Sequence, residues 1–252
     1  MIIKKFLAFS CTHCPLQDNE AIEWLIQQIR QHKPDVIVHL GDGHEMASCS
    51  RWPNEYDWDL ELEYVEHNRI LRNVRKAAPK DARLLFLPGN HDANLLAVGR
   101  LDKRYRNLLD YRDHESEFIE KNWEIPTSYE YNKQRGVFRL GQVTFAHGYE
   151  AGQNADEFHT LLLGVPYGLY VGGHTHRPMA PTRAFRTKAV PLPYWYANAG
   201  CMREMNPDWM KRKRSNLWGQ AAVLGEVSIL KSPRVNKNWN AETRIFRMKE
   251  EV

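Results

Sequence analysis

Apolar runs in this chain keep stopping at the same kind of place. Five of them end in a short polar cluster: Cys11-Thr12-His13, Gly41-Asp42, Gly89-Asn90-His91-Asp92, His147-Gly148 and Gly172-Gly173-His174-Thr175-His176. Open α/β sheets hold ligands just beyond the carboxyl ends of their strands. A chain that repeats this boundary is therefore constrained to folds that gather several strand ends at one edge.

The spacing between the clusters predicts the elements. Residues 2–9 read as a strand, Asn19 to Gln31 as a helix with Ile22, Leu25, Ile26 and Ile29 on one face, and Val36 to Leu40 as a second strand. That is a βαβ unit, which pairs its strands in parallel. A second helix is predicted from Trp58 to Ala78 through Leu60, Leu62, Val65, Ile70, Leu71 and Val74, followed by a strand at Leu84 to Leu87 that Pro88-Gly89 stops. Ala93 to Trp123 is charged and helical in pattern, and is expected to be a helical insertion at 93–123 that forms a lobe beside the site. After Ile125-Pro126 the texture turns to strands at Ser128 to Tyr131, Val137 to Leu140, Val143 to Ala146, Leu169 to Val171, Tyr194 to Ala197, Ala221 to Leu230 and Arg244 to Met248, with a helix near Ala155 to Leu163. The pattern predicts one α/β domain over 1–252, built from two packed sheets flanked by helices.

Composition narrows the class. Hydrophobic residues at 42% and charged residues at 26% exclude a disordered chain. The opening apolar stretch is too short for a signal sequence or a membrane span, which predicts a buried first strand and a cytoplasmic protein with no membrane partner. A net charge of +4 does not itself announce a nucleic-acid binder. Cys11, Cys14, Cys49 and Cys201 are few for a disulfide framework and match no zinc-binding spacing, so they read as reduced thiols or metal ligands.

Each polar cluster alone is weak, since a histidine beside a strand is commonly structural and Gly-Asp is an ordinary turn. Together they are not. Imidazole nitrogens and carboxylate oxygens suit borderline divalent metals, and His13, His147, His174 and His176 with Asp42 exceed what one ion needs. Two ions are implied, with Asp42 as the bridge, because one carboxylate can span ions roughly 3.5–4 Å apart.

In order and spacing these clusters resemble the calcineurin-like metallophosphoesterases, whose motifs run Asp-x-His, Gly-Asp, Gly-Asn-His-(Asp/Glu), His-Gly and Gly-His-x-His. The likeness covers about residues 6–200, and Gly-Asn-His-Asp at 89–92 and Gly-His-Thr-His at 173–176 match without a gap. It implies a four-layer αββα sandwich of two mixed sheets. It further implies a first metal on His13, Asp42 and His176 and a second on Asp42, Asn90, His147 and His174, in the form of two divalent ions such as manganese, zinc or iron. His91 would contact the phosphate beside Asn90 and protonate the leaving oxygen, with Asp92 orienting its imidazole, while a metal-activated hydroxide attacks phosphorus.

One residue departs from the motif: Cys11 stands where the family has aspartate. Two readings stay open. As a thiolate ligand it favours zinc or iron over manganese or magnesium; as a neutral buried thiol it leaves the first metal weak or absent.

The motifs fix the bond cleaved and not the substrate. Basic residues at Lys103, Arg104, Arg106, Arg183, Arg186, Lys188 and 211–214, interleaved with Tyr105, Trp195, Tyr196, Trp209 and Trp218, favour a phosphodiesterase acting on nucleotides or nucleic acid. The alternatives are a phosphomonoesterase, or a metal-binding scaffold that the exchange at Cys11 has weakened in catalysis.

Overall fold

The computed structural model describes residues 2–50, 59–101, 115–132, 136–162, 168–183, 194–205, 217–229 and 243–247. Its first half alternates strand and helix: β1 (Ile2–Phe9), α1 (Asn19–His32), β2 (Val36–His39), α2 (Leu60–Ala77) and β3 (Arg83–Phe86). Helix α1 starts where the Asp18 carboxylate accepts the amides of Glu20 and Ala21, and ends where Lys33, in the left-handed region, returns its N–H to the Ile29 carbonyl. Between those caps Ala21, Ile22, Leu25, Ile26 and Ile29 form its buried stripe. Each fully buried leucine or isoleucine contributes about 1.5–3 kcal/mol, so the stripe rather than helix propensity holds α1 to the sheet.

Strands β1, β2 and β3 pair in parallel, with Phe6 opposite Val36 and Val36 opposite Arg83. The chain then crosses α3 (Asn94–Leu101) and α4 (Glu115–Phe118) into a second sheet of β4 (Phe138–Leu140), β5 (Val143–Phe145), β6 (Gly168–Gly172), β7 (Met179–Arg183) and β8 (Tyr194–Asn198), with α5 (Ala155–Leu162) between β5 and β6. It returns through β9 (Ala221–Ile229), antiparallel to β1, and β10 (Thr243–Arg247), antiparallel to β9. The sheet orders are β10-β9-β1-β2-β3 and β4-β5-β6-β8-β7.

Period-two patterning gives each sheet an inner face. Phe6, Ala8, Val38 and Leu85 meet Val143, Phe145, Leu169 and Val171 between the sheets, where Phe6 and Phe145 pack edge to face at 5.1 Å. On the other side of the first sheet Leu7, Phe9, Ile37 and Phe86 pack against α1 and α2. Helix α5 covers the outer face of the second sheet, where His159 and the Tyr170 hydroxyl hydrogen-bond at 2.7 Å. The layers are helix, sheet, sheet, helix, the expected αββα sandwich. Among the described residues no helix is long and apolar enough to cross a membrane.

Four details differ from the sequence reading. Helix α2 buries Glu63, His67, Ile70, Leu71 and Val74, whereas Leu62 and Val65 are 43% and 51% exposed. The apolar spacing misplaced the inner face because Glu63 is spent accepting the amides of Met46 and Ala47, and His67 lies against Gly43. Residues 128–131 form no strand: the Tyr129 hydroxyl donates to the Pro88 carbonyl and that of Tyr131 to Gly148, anchoring a loop. Strand β7 was not foreseen; its Pro181 cannot donate to a ladder and is accommodated because β7 is an edge strand with a register shift. The described ends of 93–123 are core rather than lobe, since Leu95, Phe118, Ile119 and Trp123 join the cluster against α2 and the Trp123 indole donates to the Leu71 carbonyl. Residues 102–114 lie outside the described residues.

Candidate metal centre

The loops after β1, β2, β3, β5 and β6 meet at one edge of the sandwich, and the backbone there is strained. Cys11, His13, Asp42, His174 and His176 all hold positive φ, between 49° and 63°. For residues other than glycine this conformation is uncommon, costs on the order of 1–3 kcal/mol each, and persists only where the surroundings enforce it. Backbone hydrogen bonds do so: the amide of Cys11 donates to the Gly41 carbonyl, His13 to Asp42 and Gly173 to His147, each at 2.9 Å. Gly89 must be glycine, because a Cβ there would meet the Asp42 carboxylate and sit 2.7 Å from the His147 ring.

The strain aims a set of side chains at two adjoining pockets. In the first, His13 Nδ1 lies 2.6 Å from the Glu45 carboxylate. That carboxylate accepts a hydrogen bond from Nδ1–H, which leaves Nε2 as a lone pair. This nitrogen faces His176 Nε2 at 3.1 Å and the Asp42 carboxylate at 3.8 Å. In the second, His147 Nδ1 donates to the Leu40 carbonyl at 2.7 Å, so its Nε2 is again a lone pair. It points at Asn90 Oδ1 at 3.0 Å, Asp42 Oδ2 at 3.1 Å and His174 Nδ1 at 3.2 Å. The Cys11 sulfur belongs to both groups, one with His13 and His176 and one with Asp42 and His147, each with its ligand atoms within 4.8 Å of one another.

Acceptor atoms crowd this arrangement. Lone pairs of His13, His147, Asn90 and Asp42 converge in a buried space, where unmatched acceptors are unfavourable, and among the described residues the buried Nδ1 of His176 has no hydrogen-bond partner. A cation between them resolves the conflict. The donor set, imidazole, carboxylate, amide oxygen and thiol, fits divalent metal ions.

Electrostatics follow from the burial. Burial would raise the Asp42 carboxyl, but His147, His91 and His13 hold it well below the usual carboxylate range. Burial lowers His176 strongly and His174 to about 4, keeping both rings neutral as ligands must be. The Cys11 thiol is pushed well up by burial and then by Asp42, so with no cation present it is neutral, and ligation requires the metal to displace its proton.

His91 sits at the mouth. Its Nδ1 donates to the Glu45 carbonyl at 2.7 Å and its backbone amide to Asp42 at 2.9 Å. Burial opposes its charge, but Asp42 and Glu45 outweigh that and raise its pKa. Asp92 does not orient it, contrary to expectation. The Asp92 carboxylate instead accepts from His44 Nδ1 at 2.8 Å and from the amides of Gly89 and His44 at 2.7 and 3.1 Å. It ties the loop after β3 to the loop after β2, and the Glu45 carbonyl holds the imidazole.

Sequence reasoning missed Glu45, His44 and Arg203. Glu45 lies three residues beyond Asp42, and its acidity in that polar loop was the available signal. Arg203, buried, reaches the Glu45 carboxylate at 3.6 Å and stacks over Trp218 at 5.5 Å; no sequence feature marked it. Of the foreseen aromatics, Trp218 packs 4.2 Å from the His176 ring. Trp195 and Tyr196 lie on β8, two or more residues short of the Asn198 end that faces the site. Arg183 closes β7, while Lys103, Arg104, Tyr105, Arg106, Arg186, Lys188, Trp209 and 211–214 lie outside the described residues.

Comparison with solved structures gives distant matches. A hypothetical protein from Thermus thermophilus is 12% identical with a TM-score of 0.45, covering 96% of this chain and 99% of that one. Vps29 from Chaetomium thermophilum is 12% identical at 0.43, covering 99% and 97%. The phosphoesterase Yfce from E. coli is 15% identical at 0.40, covering 89% and 88%. No match was found among curated proteins. Residues 4–178 match the family described as calcineurin-like phosphoesterase. That span runs from within β1 through β6 and holds every residue of both pockets, and by it this chain belongs to the calcineurin-like phosphoesterase family.

Proposed function

We propose that this member of a metal-dependent phosphoesterase family is a phosphodiesterase acting on nucleotides or nucleic acid, with two divalent ions. The observation that supports the two-ion reading is the convergence of acceptor atoms on Asp42, whose Oδ2 lies 3.8 Å from His13 Nε2 and 3.1 Å from His147 Nε2, while its Oδ1 accepts the His91 amide. Ions held there supply Lewis-acid polarisation of a phosphoryl oxygen and a lowered pKa for water.

The chain's own residues supply the rest. His91, anchored through Nδ1, presents Nε2 to the substrate, and its raised pKa keeps a proton available for the leaving oxygen. The Glu45 carboxylate fixes the tautomer of His13, and the Leu40 carbonyl that of His147. Because these anchors are preformed, the ligand atoms need no reorganisation to receive charge.

The test is hydrolysis of bis(p-nitrophenyl) phosphate against p-nitrophenyl phosphate by protein stripped of metal and refilled with manganese, zinc or iron. The diester is expected to be cleaved faster, only with metal, and His91→Ala to lower kcat by about 10²–10⁴. Preference for the monoester would favour a phosphomonoesterase. Absence of turnover with every metal, restored by Cys11→Asp, would make the natural chain a binding scaffold.

A further inference from the structure

Beyond the pockets, one aromatic pair adjoins the second of them and plays no part in holding metal. Tyr149 follows His147-Gly148 directly and is 40% exposed. Its ring stacks on Tyr131 with centroids 5.4 Å apart and planes 23° from parallel. Tyr131 is fixed in turn: its hydroxyl donates to the Gly148 carbonyl at 3.1 Å, and its ring stands edge to face with His147 at 5.8 Å. A ring already braced by another, one residue from a ligand loop, loses little freedom when a third ring is laid on it.

We infer that Tyr149, braced by Tyr131, is the platform on which the aromatic base of a nucleotide stacks while its phosphate lies at the second pocket. Tyr131 touches both rings, His147 at 5.8 Å and Tyr149 at 5.4 Å between centroids, so the exposed Tyr149 lies two ring contacts from a residue of the second pocket. The inference rests on the phosphodiesterase reading and names what recognises the nucleoside. Stacking on an aromatic side chain tolerates any base, so the surface selects nucleotides as a class and not a sequence.

The test is calorimetric binding of adenosine 5′-monophosphate and of ribose 5-phosphate, which shares its phosphate and sugar, to metal-loaded protein. Wild type is expected to bind the nucleotide about tenfold more tightly than the sugar phosphate. Tyr149→Ala should erase that ratio while leaving ribose 5-phosphate affinity unchanged, and Tyr149→Phe, which keeps the ring, should preserve it. Equal affinities in wild type, a ratio that survives Tyr149→Ala, or an equal loss for both ligands would overturn the platform. Binding is read without turnover, so failure of the phosphodiesterase reading shows separately, as a monoester preference or no cleavage in the hydrolysis assay.

Discussion

The two pockets share Asp42 and are built on different terms. In the second, Asp42, Asn90 and His174 stand around His147, which is pinned by the Leu40 backbone carbonyl just after β2. The Cys11 sulfur reaches both, and in the first His13 is pinned by a side chain, Glu45, itself held by Arg203. A backbone anchor cannot be lost by substitution; a side-chain anchor can. The anchor of the second pocket is thus set by the fold, while that of the first is set by the identity of two side chains, Glu45 and Arg203.

The shared carboxylate is the hardest test of this asymmetry. Asp42→Ala is expected to empty both pockets and to lower diester turnover about a thousandfold or more, the several kcal/mol that a metal centre contributes; retention of one ion would break the bridging role. Glu45→Gln should weaken only the first, by about 10–100-fold in metal affinity, as loss of a carboxylate partner behind a ligating histidine does. Equal weakening of both, measured by competition with a chelator, would erase the distinction. Cys11→Asp should move the centre's preference from zinc toward manganese by a few-fold in relative affinity.

The smallest effect concerns the loop that serves both pockets, since Gly172 to His176 delivers His174 to one and His176 to the other. Asn198 holds this loop through the Gly173 carbonyl and Thr175 hydroxyl, and also donates to the buried Asp156 carboxyl at 2.9 Å. Burial raises Asp156 from 3.8 to about 7. The folded state therefore keeps a proton that the unfolded chain releases, and stability falls as pH rises from about 4 to about 7. Asp156→Asn should remove that fall, gaining on the order of a few degrees in Tm relative to wild type at pH 8 over pH 5. A pH-independent difference would contradict the shift.

Much of this was legible in the sequence, because the same boundary that ends a strand exposes its polar turn at the sheet edge. The βαβ pairing, the two sheets and the gathering of His13, Asp42, Asn90, His147, His174 and His176 followed from where apolar runs stop. What escaped was what depends on partners distant in sequence. Helix α2 turns Glu63 inward for amides on another loop, which no apolar count reveals. Asp92 neighbours His91 in sequence yet bonds His44, while the His91 ring donates to the Glu45 carbonyl. Arg203 reaches the site only because the stretch after β8 pairs beside the loop after β1, the Met202 amide donating to the Cys11 carbonyl.

The most direct measurement counts ions against turnover: metal-free protein titrated with zinc or manganese, with bound metal and cleavage of bis(p-nitrophenyl) phosphate followed together. Two ions per chain, and turnover that stays near background until the second binds, is the expected result. Saturation at one ion with full turnover, or two bound ions with none, would contradict a two-pocket phosphoesterase centre joined by Asp42.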